Sequence, residues 1–130
     1  MPALFIYGSL KVSKTFKSVT GLHLKEYKEA WTDGKLVLYE DFPIAFPDDE
    51  GQIHGLLIEL PYEIIQAIDT FEEEGRLLLR KEIIATTDIG EEEAFIYWGN
   101  PDHPAFYNLH SLEVIQEGIW KTADSFEYDM

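Results

Sequence analysis

Near its start the chain reads Leu4-Phe5-Ile6-Tyr7-Gly8-Ser9-Leu10. The run from Leu4 to Tyr7 is aliphatic and aromatic, which is typical of a strand buried on both faces. The run ends at Gly8-Ser9, where a residue without a Cβ lets the backbone turn and lets a ligand approach closely. A rigid strand that opens into such a turn presents fixed backbone N–H groups, which can bind a carboxylate or a developing oxyanion. An ordinary strand-to-loop turn would look the same, so the rest of the chain has to decide between the two interpretations.

Size and composition predict one globular domain over residues 1–130. Hydrophobic residues make up 45% of the 130 residues, and there is no cysteine, which excludes a thiol nucleophile and a Cys-based zinc site. No apolar run approaches the ~18 residues that span a bilayer, and the N-terminus lacks the layout of a signal peptide. The net charge of −15 disfavours nucleic acid and anionic lipid as partners, because no basic surface is available to neutralise phosphates. We therefore expect a cytoplasmic protein that binds neither membranes nor nucleic acid.

The segment from Lys11 to Gly21 is rich in Lys, Ser and Thr and has no clear period. It is predicted to be a long loop, with at most a helical turn, and loops of that length are often functional. Its three basic residues could attract an anionic small molecule, although a solvated loop explains them equally simply. They are Lys11, Lys14 and Lys17.

The middle of the chain predicts strands joined by turns. Asp33-Gly34 indicates a hairpin turn with Lys35–Tyr39 as the return strand, because a type I′ turn needs positive φ at its central residues. The prolines at 43 and 47 are expected to break the chain after that strand. Residues 52–60 form a further strand, in which Gly55 marks a bulge or a close backbone approach.

The second half adds helices and a strand pair. Pro61 suits the first turn of a helix that runs from Tyr62 to about Glu72. Two strands, at 80–87 and 92–98, are joined at Asp88-Ile89-Gly90. A short amphipathic helix is predicted at 109–116, capped by Asn108 and ended by Gly118, and the acidic tail from Asp124 is expected to be disordered. This element order predicts an α+β fold, with a closed or partly closed antiparallel barrel.

One carboxylate of the helix after Pro61 falls on its apolar side. With ~100° per residue and Ile64 at zero, Glu72 lies at about 80°, between Ile68 and Ile65, while Glu73 and Glu74 lie outside the stripe. A buried carboxylate costs stability unless it is hydrogen-bonded or protonated, and such groups are over-represented at active sites. Glu72 is also near the helix end, so it could instead turn outward or pair with an arginine, at position 76 or 80. If it is buried, we expect its pKa to be raised by desolvation and by neighbouring acids at 69, 73 and 74.

Other chemistries have less support in the sequence. Ser9 lacks the second glycine of a nucleophile elbow, and no phosphate-binding glycine-rich loop is present. The four histidines have no metal-ligand spacing, and the acidic turn at 48–51 lacks the pattern of a calcium loop. They are His23, His54, His103 and His110. We therefore expect neither a metal nor a cofactor.

Taken together, the motifs resemble the γ-glutamylcyclotransferase-like superfamily from about Leu4 to Trp98. Tyr7-Gly8-Ser9-Leu10 is similar to its Y-G-[ST]-L signature, and Ile68-Asp69-Thr70-Phe71-Glu72 is similar to L-D-x-[FY]-E, whose Glu is the catalytic acid/base. Tyr39, Phe42-Pro43 and residues 51–60 resemble the stretch between those signatures. The resemblance implies a small mixed, mostly antiparallel β-barrel with two or more short flanking helices.

The resemblance also implies a reaction, in which a γ-glutamyl compound cyclises to 5-oxoproline and releases an amine. Glu72 would be the general acid/base, and Tyr7, Gly8, Ser9 and Leu10 would bind the small-molecule substrate. No cofactor or metal is implied, because the substrate's own α-amine is the nucleophile. The amine leaving group and the oligomeric state are not readable from the sequence.

Two departures from the family pattern keep alternatives open. Glu73-Glu74 intervene before Gly75, and Leu78 stands where the family usually has a tyrosine two residues before an arginine. The loss of that tyrosine would also suit a non-catalytic small-molecule-binding module. A third alternative is an interaction protein with a vestigial pocket, in which Glu72 would be paired at the surface away from Gly8.

Overall fold

The computed structural model describes residues 1–120, so the acidic tail predicted from Asp124 lies outside the described residues. Over that range the chain forms seven strands and two α-helices. They are β1 (Ala3–Ile6), α1 (Ser13–Thr20), β2 (Lys28–Asp33), β3 (Lys35–Tyr39), β4 (Phe42–Phe46), β5 (Gln52–Glu59), α2 (Tyr62–Phe71), β6 (Leu78–Thr87) and β7 (Gly90–Gly99). Helices α1 and α2 each fall far short of the length and apolar character that a bilayer crossing requires, and no other described helix meets that requirement.

Five strands close into a mixed barrel. Their order is β1–β5–β2–β6–β7, and β7 returns to β1 through a parallel pairing of Leu4 with Phe95. The other neighbours within this ring are antiparallel. The β3–β4 hairpin extends the sheet beyond the ring, because β4 runs parallel to β7 at Ala45 and Trp98. The prediction of a small mixed, mostly antiparallel α+β barrel is confirmed.

Strand β1 is buried on both faces, as its composition predicted. Leu4 and Ile6 pack in a cluster that includes residues of α1 and α2, among them Phe16 and Ile65. Phe5 of β1 belongs instead to a second cluster, to which the other four barrel strands contribute alanines and aliphatic side chains. Because successive residues of a strand point to opposite faces, β1 connects the barrel interior to the helical layer.

Helix α1 replaces the long loop predicted from Lys11 to Gly21. A short 3₁₀ turn, Ser9–Lys11, leads into the helix, which buries Phe16 and Thr20 one turn apart. Gly21 ends it in the left-handed conformation, with its N–H donating to the Lys17 carbonyl at 2.8 Å. The spacing of residues 12, 16 and 20 carries the helical period. The loop prediction failed because the polar residues between these three positions make the helical period hard to recognise in the sequence.

The hairpin predicted at Asp33-Gly34 is wrong. Strand β2 has β5 and β6 as its neighbours in the sheet, so β3 continues past it and pairs with β4 instead. Gly34 contacts the residue just before β5 instead of closing a hairpin, since its N–H donates to the Gly51 carbonyl at 3.0 Å. The dipeptide favours a turn locally, but sheet pairing over long sequence distances decides which strands meet.

The break predicted at the prolines is also wrong at Pro43, which lies inside β4 opposite Leu38. The actual turn precedes it, at Glu40, which has a φ of 56°. A proline is tolerated in a strand whose second edge is only partly paired, and β4 pairs with β7 at a single position, Ala45.

The helix predicted at 109–116 does not form. A 3₁₀ turn covers Leu109–Ser111, where Asn108 makes no side-chain cap, and Gly118 belongs to another short turn, Gln116–Gly118. Between them the chain runs along the edge of β3, because the Leu38 N–H donates to the Glu113 carbonyl and the Ile115 N–H to the Leu36 carbonyl, each at 2.8 Å. Covering an otherwise exposed strand edge outweighs the local helical pattern.

Gly55 marks a close backbone approach, as the sequence predicted. A Cβ at this position would lie 2.3 Å from the Ile6 carbonyl oxygen and 3.0 Å from the Phe5 ring. Strand β5 can therefore pack against the end of β1 only because residue 55 has no side chain.

We expect Gly55→Ala to destabilise the protein by about 1–3 kcal/mol, because the added methyl must push β5 away from Ile6. Gln52→Ala, an exposed change on the same strand, is the matched control and should cost less than about 0.5 kcal/mol. Denaturant unfolding of the two variants tests this, and equal midpoints would contradict the importance of the close approach.

Candidate active site

A cavity of about 470 Å³ opens where β1 ends, and its size is typical of a small-molecule site. Five parts of the chain supply its wall: the end of β1, the β3–β4 hairpin, the end of α2, strands β6 and β7, and the loop after β7. Its lining includes Tyr7, Gly8, Ser9, Leu10, Glu72, Leu78, Tyr97 and His103. The sequence-predicted site residues therefore all line one cavity.

The turn after β1 lines one side of this cavity with backbone. Within residues 1–120, no hydrogen bond outside the regular helix and strand ladders uses the amides of Gly8, Ser9 or Leu10. The carbonyls of Gly8 and Ser9 are used instead, by the Lys11 and Val12 amides at 2.9 and 3.0 Å. The carbonyls of this turn therefore hold its shape, and its residues line the cavity.

Gly8 is needed for this arrangement because the hairpin closes over it. A Cβ on Gly8 would lie 3.0 Å from the Pro43 side chain, so the turn and β4 approach closely only with glycine at this position. Pro43, which interrupts the sequence pattern of a strand, thus lines the cavity beside Gly8 from within β4.

Glu72 lies at the C-terminal end of α2 and lines the same cavity. Its N–H donates to the Ile68 carbonyl at 2.8 Å, so the residue still belongs to the last helical turn. The chain then turns sharply, because Glu73 has a φ of 54° and Gly75 a φ of 89°. Glu73 and Glu74 are exposed whereas Glu72 is half-buried, as the helical wheel predicted. Phe71, which that wheel placed in the buried stripe, is instead 45% exposed and lies at the cavity wall.

The arginines that could have neutralised Glu72 bind other acids. Arg80 makes a two-pronged contact with Asp69, with Nε 2.9 Å from Oδ1 and an amino nitrogen 3.2 Å from Oδ2. Arg76 lies 3.9 Å from the Glu73 carboxylate. None of the salt bridges among residues 1–120 includes Glu72. The alternative in which Glu72 is ion-paired at the surface away from Gly8 is therefore excluded.

Burial without a counter-ion changes the acidity of Glu72. Desolvation raises the pKa of its carboxyl to about 7. The sequence predicted a raised pKa for Glu72, and the pKa is raised. The cause is burial alone, and the neighbouring acids do not contribute. A carboxyl with this pKa can accept and return a proton near neutral pH, which is what general acid–base chemistry requires.

Two tyrosine side chains flank Glu72 and are held by hydrogen bonds. The Tyr7 hydroxyl donates to the Tyr97 carbonyl at 2.6 Å, and the Tyr97 hydroxyl donates to Asp69 Oδ1 at 2.6 Å. Burial raises the pKa of both hydroxyls, and the nearby charge of Glu72 raises each further. Both tyrosines are therefore neutral hydrogen-bonding groups in this site.

Other residues considered from the sequence take different places. Lys11 is buried and donates to the Trp120 carbonyl at 2.8 Å, whereas Lys14 and Lys17 are exposed, and none of the three lines the cavity. Leu78 lines it at the position where the resembled family has a tyrosine. Within residues 1–120 there is no group of three or more His, Asp or Glu side chains placed to hold a metal ion.

His103 is a cavity residue that the sequence interpretation left unassigned. Its Nδ1 accepts the Ala105 N–H at 3.1 Å, which starts the short turn Pro104–Phe106. The local signal, a histidine before a proline, indicates a cap. Nothing in the sequence connects this loop to Gly8, because the contact depends on the return of β7 to β1.

Comparison with protein families gives one match. The family model described as "Gamma-glutamyl cyclotransferase, AIG2-like" matches residues 4–122. No curated protein matches the sequence.

Solved structures share the fold at low sequence identity. An AIG2-like protein from Mus musculus has a TM-score of 0.75 at 17% identity, covering 93% of this chain and 88% of that one. YkqA from Bacillus subtilis has a TM-score of 0.71 at 23% identity over 99% of this chain, which spans only 43% of YkqA. A structure described as a gamma-glutamyl cyclotransferase has a TM-score of 0.64 at 12% identity, covering 98% and 96% of the two chains. At these identities the structures establish the fold.

The raised pKa of Glu72 predicts that the stability difference between the parent and a Glu72→Gln variant depends on pH. A pKa of about 7 in the folded state, above the ordinary 4.5, means that the protonated form is favoured by folding. Stability from this group is therefore full below pH 4.5 and is lost as pH rises through about 7. We expect Glu72→Gln, which stays neutral, to be more stable than the parent by up to about 3 kcal/mol at pH 8, and equal to it at pH 4.

Urea unfolding across this pH range measures the difference. Glu82→Gln, at an exposed position on β6 away from any helix end, is the control and should show no advantage that grows with pH. A Glu72→Gln advantage that does not grow with pH would show that the carboxyl is not buried as described.

Proposed function

This chain belongs to the gamma-glutamyl cyclotransferase, AIG2-like family, and from that premise we propose that it cyclises a γ-glutamyl compound to 5-oxoproline with release of an amine. The observation that carries the proposal is the shared cavity of the Glu72 carboxyl and the amides after β1. A base without a counter-ion and a set of backbone donors are the two groups that this reaction needs from a protein.

The substrate supplies its own nucleophile, so the protein needs no side chain that becomes covalently bound. The α-amine nitrogen attacks the γ-carbonyl carbon, and a five-membered ring closes. Glu72 takes a proton from that nitrogen as the bond forms. It then gives the proton to the leaving nitrogen as the original C–N bond breaks, so no external acid, base or oxidant is consumed.

The turn after β1 supports the negative charge that develops on the γ-carbonyl oxygen. Amides of Gly8, Ser9 and Leu10 are fixed before the reaction and cost no reorganisation, which is what makes such donors effective. The cavity walls hold the flexible glutamyl chain folded so that its two ends meet, which supplies much of the remaining acceleration. Tyr7 contributes to this wall through its neutral, anchored hydroxyl.

Leu78 favours a second candidate function, a non-catalytic module that binds a small molecule in the same cavity. An apolar side chain stands where the resembled family usually has a tyrosine, so a hydroxyl that could orient a substrate is missing. The two candidate functions differ in whether bound γ-glutamyl compounds are converted, so measuring release of 5-oxoproline distinguishes them.

We expect the parent protein to release 5-oxoproline from γ-glutamyl amines and Glu72→Gln to be slower by about 100-fold or more, because the amide cannot accept the proton. Glu63→Gln, which is exposed and outside the cavity, should retain the parent rate. Quantifying 5-oxoproline across a panel of γ-glutamyl amines tests this. Ligand-induced thermal stabilisation without turnover would support the binding module instead.

The pH profile gives a second test of the same role. Because the ionised carboxylate is the base and the pKa of Glu72 is about 7, kcat/KM should fall as pH decreases below about 7. Glu72→Asp should retain an acid limb at a shifted position, and Glu72→Gln should lose it. An acid limb near pH 4 in the parent would contradict Glu72 as the base.

A further inference from the structure

A chain of three polar side chains runs from the outside of α2 to the cavity wall: Arg80, Asp69 and Tyr97. Arg80 holds both carboxylate oxygens of Asp69, at 2.9 and 3.2 Å. The guanidinium is fixed in turn, since it lies 4.7 Å from the centre of the Phe95 ring and 3.3 Å from the Tyr62 hydroxyl. Asp69 is therefore a fixed acceptor directly behind Tyr97.

This arrangement fixes the direction of the only hydrogen on the Tyr97 hydroxyl. Asp69 Oδ1 lies 2.6 Å away and the Ile65 carbonyl oxygen 3.4 Å away, and both of these atoms can only accept. The hydroxyl must therefore donate toward α2, and its oxygen has lone pairs left to accept a hydrogen bond. Tyr97 is thus an acceptor toward anything that contacts its oxygen from the cavity side.

From this geometry we infer that Tyr97 accepts a hydrogen bond from the substrate's α-amino group and positions it beside Glu72. The inference rests on the proposed function and deepens it, since it assigns the second contact of the nucleophilic nitrogen. Tyr97 lines the cavity, and the charge of Glu72 acts on its hydroxyl. Tyr7, which follows β1, differs because its hydroxyl donates to the Tyr97 carbonyl while its oxygen already receives a hydrogen bond from the Ala45 backbone.

Two acceptors give the nitrogen a defined orientation. A neutral amine has two N–H bonds and one lone pair. When Glu72 takes one N–H and Tyr97 the other, the lone pair is left to face the γ-carbonyl carbon, which is the orientation that ring closure requires. Donors for the carbonyl oxygen come from backbone, so the acceptor and donor sides of the site do not compete.

The inference is tested by two ligands that differ only in the α-amino group. L-γ-glutamylethylamide carries it, and N-ethylglutaramate lacks it. Titration calorimetry in a Glu72→Gln background measures both without turnover. We expect Tyr97→Phe to weaken binding of L-γ-glutamylethylamide by about tenfold, as for a hydrogen bond to a charged group, and to change the affinity for N-ethylglutaramate by less than about twofold.

Tyr107→Phe, on a tyrosine that is 67% exposed and outside the cavity, is the matched control and should change neither affinity. Asp69→Asn is a second variant, which keeps the Tyr97 ring and hydroxyl but offers it an amide that can donate. It should weaken only the ligand with the amino group. Thermal unfolding of each variant shows whether the fold is intact.

The outcomes separate this inference from the function on which it rests. Equal weakening of both ligands in folded Tyr97→Phe, or no weakening of either, would overturn the assignment of Tyr97 and leave the role of Glu72 untouched. Failure of both ligands to bind the protein with Tyr97 intact would overturn the proposed function together with it.

Discussion

The contact between β1 and β5 at Gly55 is the constraint on which the rest of the site depends. Strand β1 pairs with β5 on one edge and meets β7 on the other, while both of its faces are buried. The Ile6 carbonyl oxygen would lie only 2.3 Å from a Cβ at residue 55, which is too close for any side chain. A strand held on both edges and both faces cannot shift in register, so the turn that follows it presents its amides at a fixed place.

The end of α2 is held by equally specific interactions, which explains why one acid of several lies at the cavity wall without a counter-ion. Asp69 lies two residues before the end of α2 and forms an ion pair with Arg80. Glu73 and Glu74 leave the helix with the left-handed turn and face solvent. Of the three consecutive acids Glu72 alone is not exposed, although Glu73 also reaches the cavity wall. The pKa of Glu72 is high because the carboxyl is buried and because the two nearby arginines are paired with Asp69 and Glu73 instead.

Residue patterns predicted the elements whose pairing is local or whose burial is complete. Strand β1, helix α2 and the β6–β7 hairpin have strong periods or turns, and Glu72 could be singled out because a helical wheel needs only short-range geometry. The errors share a different cause. Asp33-Gly34, Pro43 and residues 109–116 each have a local preference, and each is overridden by a strand from elsewhere in the chain. His103 and Tyr97 were not identified as site residues for the same reason, since their place depends on how the barrel closes.

The charge balance of the cavity links substrate binding to the protonation of Glu72. Among the described residues that line it there is no lysine or arginine, while Glu72 and the exposed Glu40 and Glu73 are acids. The proposed γ-glutamyl substrate would bring an α-carboxylate, for which no lysine or arginine is available in the cavity, and an α-ammonium group. An ammonium group beside Glu72 favours its ionised form and lowers the pKa of that carboxyl. Under the proposed function, binding thus favours the ionised carboxylate only for ligands that carry the α-amino group. The ammonium group then loses one proton to solvent before its neutral form attacks, so the carboxylate of Glu72 remains available as the base.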